Sequence, residues 1–111
     1  MKPKSEIHYV SPSYKLKVTL ILESKSDHPD DRRKMTDAQI AINLHKYCPH
    51  IMVIYGSSPV TKGDYTKKRV TAMASVIHVT STGRAIDIVT KEIEDKLDSV
   101  YIVRRSVVGV L

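Results

Sequence analysis

Four cations fall within eight residues, Lys62, Lys67, Lys68 and Arg69, with Tyr65 set among them and Gly63 leaving room for close backbone approach. Cations at that density follow a phosphate backbone, and an exposed tyrosine ring stacks on a base. Asp64 offsets only one of the charges. A second basic group, Arg104 and Arg105, lies in a Val- and Ile-rich segment. Alternation along a strand sends neighbouring side chains to opposite faces, so at least one of these arginines projects from a sheet. Lys15 and Lys17 share one face of an earlier segment. If that face is open, a basic sheet surface adjoins the basic loop.

Other constellations carry less chemistry. His45, Cys48 and His50 are metal-ligand types, but a tetrahedral zinc site takes four ligands and no second cluster pairs with them, so no metal is expected. Asp27, His28, Asp30 and Asp31 lack the glycine and terminal glutamate of a calcium loop and read as a solvated acidic stretch beside Arg32 and Arg33. His78 lies in the apolar run Val76 to Val79, with no nucleophile and orienting carboxylate identifiable around it. A core or sheet-face histidine is the expectation there. Gly83-Arg84 before a helix is the best site for a small anion, although one glycine makes no phosphate-cradling loop. Nothing in the sequence calls for a cofactor.

These residues need elements to position them. Tyr14 to Glu23 alternates, with Leu16, Val18, Leu20 and Leu22 on one face and Lys15, Lys17, Thr19 and Glu23 flanking them, as a half-buried strand does. Ser24 to Lys34 is polar, contains Pro29 and reads as a solvated loop. Thr36 and Gln39 form a capping box, Ile40, Leu44 and Tyr47 follow at helical spacing, and Pro49 stops the helix. Ile51 to Tyr55 is continuously apolar and predicts a central strand buried on both faces. Thr61 to Arg69 is the basic loop. Val70 to Thr80 reads as a strand at its end, yet Val70, Met73, Ala74 and Ile77 also make a helical stripe, and both readings stay open. Thr82 caps a helix from about Arg84 to Leu97, whose apolar face is Ile86, Val89, Ile93 and Leu97. Ser99 to Leu111 is a final strand. Residues 1–13 are a flexible arm or edge strand, and 14–111 form one α/β domain.

The expected class is therefore α+β: a two-layer α/β sandwich, ferredoxin-like βαββαβ, with a βαβαβ Alba-like order as the alternative. The chain has 111 residues, 41% of them hydrophobic and 27% charged, which suits one core and argues against disorder. Its formal charge of +6 favours an acidic partner. There is no Trp or Phe, so six Tyr supply the aromatic surface. Cys48 is the one cysteine, which excludes an intramolecular disulfide and fits a reducing, cytoplasmic setting. No apolar run approaches the roughly 20 residues of a membrane span, and no signal peptide is visible.

The stretch Ala74 to Leu97 (ASVIHVTSTGRAIDIVTKEIEDKL) resembles the strand, loop and second helix of Alba-type chromatin and RNA-binding proteins, in which a Gly-Arg-Ala motif opens the helix. Those positions are Gly83, Arg84 and Ala85 here. Ile51 to Val60 (IMVIYGSSPV) resembles the family's first strand and phosphate-side turn. An extra strand and helix precede the matching part, which spans about half of the chain. The resemblance implies a dimeric nucleic-acid binder using basic loops.

Together these readings predict a non-enzymatic nucleic-acid-binding protein, on DNA or RNA, with Lys62, Lys67, Lys68 and Arg69 as main phosphate contacts and Tyr65, Arg84, Arg104 and Arg105 in support. Homo-oligomerisation is compatible with that. The alternative is a self-associating scaffold or viral matrix-like protein whose charge meets an anionic membrane surface or a nucleoprotein.

Overall fold

A computed structural model describes residues 12–111. Ten alternating residues, Tyr14–Glu23, make β1, and the alternation places Leu16, Val18, Leu20 and Leu22 fully in the core. The polar stretch after it is not all loop: Pro29–Arg33 forms a short helix, α1, because Pro29 is pre-set for a first turn and His28 caps it, its ring Nδ1 accepting from the Asp30 N–H. Asp37–Tyr47 is α2, capped by the Thr36 hydroxyl accepting from the Gln39 N–H. It ends at Cys48, ahead of Pro49, as the capping box and proline predict.

Ile51–Thr61 (β2) and Asp64–Val76 (β3) form an antiparallel hairpin. The two-residue turn is Lys62-Gly63, and Gly63 at φ +83 takes the left-handed position that such a turn gives to glycine. The expected basic loop is thus mostly strand. The open question over Val70 to Thr80 resolves the same way, with strand through Val76 and a break at His78, whose φ of +62 turns the chain towards the next helix. Thr82–Lys96 is α3, starting two residues before the expected Arg84: Ser81, not Thr82, is the cap, its hydroxyl accepting from the Arg84 N–H. A 3-10 turn at Leu97–Ser99 leads to β4, Ile102–Val110, which begins three residues later than the predicted strand.

The four strands form one antiparallel sheet in the order β2-β3-β1-β4. Ile51 to Tyr55 is therefore at an edge, not at the centre, and only Ile51 of that run is fully buried. One face of the sheet carries Leu16, Val18, Leu20, Leu22, Val70, Ala72, Ala74 and Val76, which join Ile40 and Leu44 of α2 and Ala85, Val89 and Ile93 of α3 in a single core. Each buried Leu, Ile or Val contributes roughly 1.5–3 kcal/mol relative to exposure. Both helices thus lie on that face. The small residues Ala72 and Ala74 let the helices approach the middle of the sheet. The opposite face has no helix over it among the described residues.

Tyr101 closes the core at the start of β4. It is fully buried, and its hydroxyl accepts from Asn43 Nδ2 (3.0 Å) while donating to the Lys34 carbonyl (2.5 Å), so the end of α1, α2 and the approach to β4 meet on one phenol. His50 and Glu92 pair at 2.5 Å, joining the turn before β2 to α3.

Candidate functional site

The bare face of the sheet collects the charge. In β1 the residues between the core positions are Lys15, Lys17, Thr19, Ile21 and Glu23. Register sets Ser75, Met73, Thr71, Arg69 and Lys67 of β3 opposite them in turn. On the other side, Gly109, Val107 and Arg105 of β4 face Lys17, Thr19 and Ile21. The two arginines do not take opposite faces as strict alternation predicts. A register shift between Ile21 and Leu22 leaves Arg104 as the extra residue of a bulge, with Arg105 paired to Ile21 and Val103 to Leu22. Arg104 then reaches over the same face and donates from Nε to Glu23 (2.5 Å).

The bare face therefore holds Lys15, Lys17, Lys67, Arg69, Arg104 and Arg105. Among the described residues of its strands, Glu23 is the carboxylate standing between them, engaged by Arg104 and facing Lys67 across β1 and β3. The Arg104 hydrogen bond holds the Glu23 carboxyl below its ordinary range, and the same contact raises the guanidinium. Asp64, at the hairpin end, is held low chiefly by the hydroxyl and N–H of Thr66, with a smaller contribution from Lys67.

Four of the residues singled out in the sequence lie elsewhere. Lys68 faces the helix layer at a core position opposite Leu22, is only 8% exposed, and its ammonium lies 3.5 Å from Asp37 Oδ1 and 5.5 Å from the Tyr65 ring centre. Tyr65 is exposed but lines a hollow on that side with Arg32, Met35 and Thr36. Arg84 sits in the first turn of α3 beside His78, Val79 and Asp87. Lys62 is exposed at the hairpin tip. Lys67, Arg69, Arg104 and Arg105 are the four that the fold brings together, with Lys15 and Lys17.

Sequence reasoning missed Tyr55. Register steps from Ile54 opposite Ala72 to Gly56 opposite Thr71, so Tyr55 is the extra residue of a second bulge. It is 60% exposed and lines a shallow hollow with Gly56, Ser57, Ser58, Arg69 and Thr71. A run read as doubly buried concealed an aromatic on the bare face.

Other reactive groups are closed off. Cys48 is fully buried, and burial, with the nearby Glu92 carboxylate adding to it, pushes its thiol up to about 12. It is a core residue at neutral pH. His78 is exposed at a turn and is not the core or sheet-face histidine expected. Among the described residues no group of three or more His, Cys, Asp or Glu side chains is placed to hold a metal ion, and no helix is long and apolar enough to cross a membrane. Compared with protein-family models, curated proteins and solved structures, the chain finds no match in any of the three.

Proposed function

We propose that this protein is a non-enzymatic, intracellular nucleic-acid-binding domain that carries the phosphate backbone across its bare sheet face. We assign it to the ferredoxin-like split pair, in which a β2–β3 hairpin separates two strand-helix units; the strand order β2-β3-β1-β4 supports that assignment over an Alba-like βαβαβ order. The observation that carries the reading is the placement of Lys15, Lys17, Lys67, Arg69, Arg104 and Arg105 on one helix-free surface, with Glu23 the carboxylate among them. Charge alone suits any polyanion. Between the cations stand the short residues Thr19, Thr71, Ser75 and Gly109 together with Ile21, Met73 and Val107, a surface with no helix over it along which a backbone can lie.

The test is fluorescence anisotropy with labelled RNA and DNA, run in the buffer used for flotation with anionic vesicles. Lys67→Glu with Arg69→Glu is expected to weaken nucleic-acid binding at least about tenfold. Arg84→Glu, on the helix layer, is expected to change it less than about twofold, and Lys62→Glu to have an intermediate effect. Unchanged affinity in the double variant, or vesicle binding without nucleic-acid binding, overturns the proposal.

A second reading, self-association, is favoured by the β4 edge. Val107, Val110 and Leu111 are exposed there, whereas the β2 edge is interrupted by three register shifts and Pro59. Shifts and proline protect an edge from further pairing, and β4 past its bulge lacks both. Sedimentation at increasing concentration distinguishes a monomer from a β4-paired dimer.

A further inference from the structure

We infer that the hollow on the bare face around Tyr55 is a base-stacking subsite and that the ligand of this face is a single strand rather than a duplex. The inference rests on the nucleic-acid reading above and adds to it a ligand form and a residue. The bulge in β2 turns Tyr55 out of the alternation, so that a 60% exposed ring lines one hollow together with Arg69, Gly56 and Thr71. A Cβ built on Gly56 meets nothing within 4 Å, so the hollow is open there. A planar cation next to an exposed phenol is the pairing that holds a base: the ring takes its face and the guanidinium takes the adjoining phosphate or stacks in turn.

Duplex binding needs an element that enters a groove, or a concave surface that follows the backbone. The middle of the bare face has neither, since β1 and β3 present Thr19, Thr71, Met73 and Ser75 there. From Tyr55 on one edge strand to Arg105 on the other are three inter-strand spacings, about 14 Å. At 3.4 Å per stacked nucleotide this path covers about four nucleotides. One base is anchored on Tyr55, and the phosphates after it meet Arg69, then Lys17 or Lys67, then Arg105. Nothing in these contacts reads the sugar, so RNA and single-stranded DNA are both ligands.

The experiment compares unstructured oligouridine and oligothymidine with a blunt hairpin duplex on the wild-type chain and on Tyr55→Ala, Tyr55→Phe and Lys67→Glu/Arg69→Glu. Tyr55 is exposed, so its replacement leaves the core intact, and matched thermal unfolding verifies this. Tyr55→Ala is expected to lose roughly 5- to 150-fold in affinity for the single strands and less than about twofold for the duplex, with Tyr55→Phe keeping wild-type affinity. Because the chain has no Trp, tyrosine emission reports directly, and the wild type is expected to be quenched by oligothymidine more than Tyr55→Ala is. If Tyr55→Ala binds single strands as well as wild type while the charge variant is weakened, the stacking site is wrong and the basic face stands. If neither variant changes binding, both fail. A wild type that prefers the duplex overturns the single-strand assignment.

Discussion

At the scale of single residues, two side chains show how position decides chemistry. Tyr101 and Tyr55 are the same residue type with opposite roles: one is sealed with its hydroxyl satisfied twice, the other is turned out by a bulge. Tyr101→Phe keeps the packing but strands Asn43 Nδ2 and the Lys34 carbonyl. The cost expected for leaving buried groups unpaired is about 1–3 kcal/mol, read as a lower midpoint in urea with unchanged slope. Glu23 and Asp37, with Asp31 and Asp64, are the carboxyls held below their ordinary range, and together they set the acid limit. Arg104 holds the first carboxyl down, and the Ser57 hydroxyl, helped by Lys68, holds the second. A folded-state pKa below the unfolded one stabilises the fold at pH above the unfolded value, near 4, and that contribution is lost as pH falls through the folded value. Stability is therefore expected to be flat from neutral pH down to about 5 and to fall below about 4, and Glu23→Gln is expected to make the fall shallower. An acid titration followed by circular dichroism measures both.

At the scale of elements, a testable difference separates Ser81 from Thr82. The Ser81 hydroxyl caps α3, so Ser81→Ala is expected to cost about 1 kcal/mol in a denaturant melt, as is Thr36→Ala at α2, while Thr82→Ala is expected to be near neutral. The same pair marks the reach of the sequence. Strand β1 and helices α2 and α3 are readable because each is half-buried, and half-burial writes its period into the residue order. Strand β2 is not, because an apolar run without alternation signals either a central strand or an edge strand broken by shifts, and Met52, Val53 and Tyr55 are exposed here. The first half of β3 is hidden by Lys68, a charge at a core-side position, which makes Lys67 to Arg69 look like a solvated loop. The bulge at Arg104 leaves no mark in the sequence, since it arises from the pairing of two strands that lie far apart along the chain. The cations of the candidate site were visible as types, and their sharing of one face became visible only with the register.

At the scale of the whole molecule, the two layers divide the labour: helices and core-side residues hold the sheet, and the bare face is left to meet a partner. Six cations stand there, Arg104 is engaged by Glu23, and of the other five a strand crossing the face meets three: Arg69, Lys17 or Lys67, and Arg105. On a single strand each neutralised phosphate contributes about −0.7 to the slope of log affinity against log salt, so three predict about −2.1 and a loss of roughly twentyfold between 50 and 200 mM salt. Glu23 makes this prediction sharper than a count of charges. Glu23→Gln removes the carboxylate and releases Arg104, so the slope is expected to steepen towards about −2.8 and the affinity at low salt to rise several-fold, although no cation has been added. Lys67→Glu with Arg69→Glu is expected to move the slope the other way by about 0.7 to 1.4. A scaffold that merely carries its charge for solubility predicts no ordered response to these three changes. A single salt titration series on wild type and both variants therefore tells whether Glu23 sits inside the binding surface or outside it.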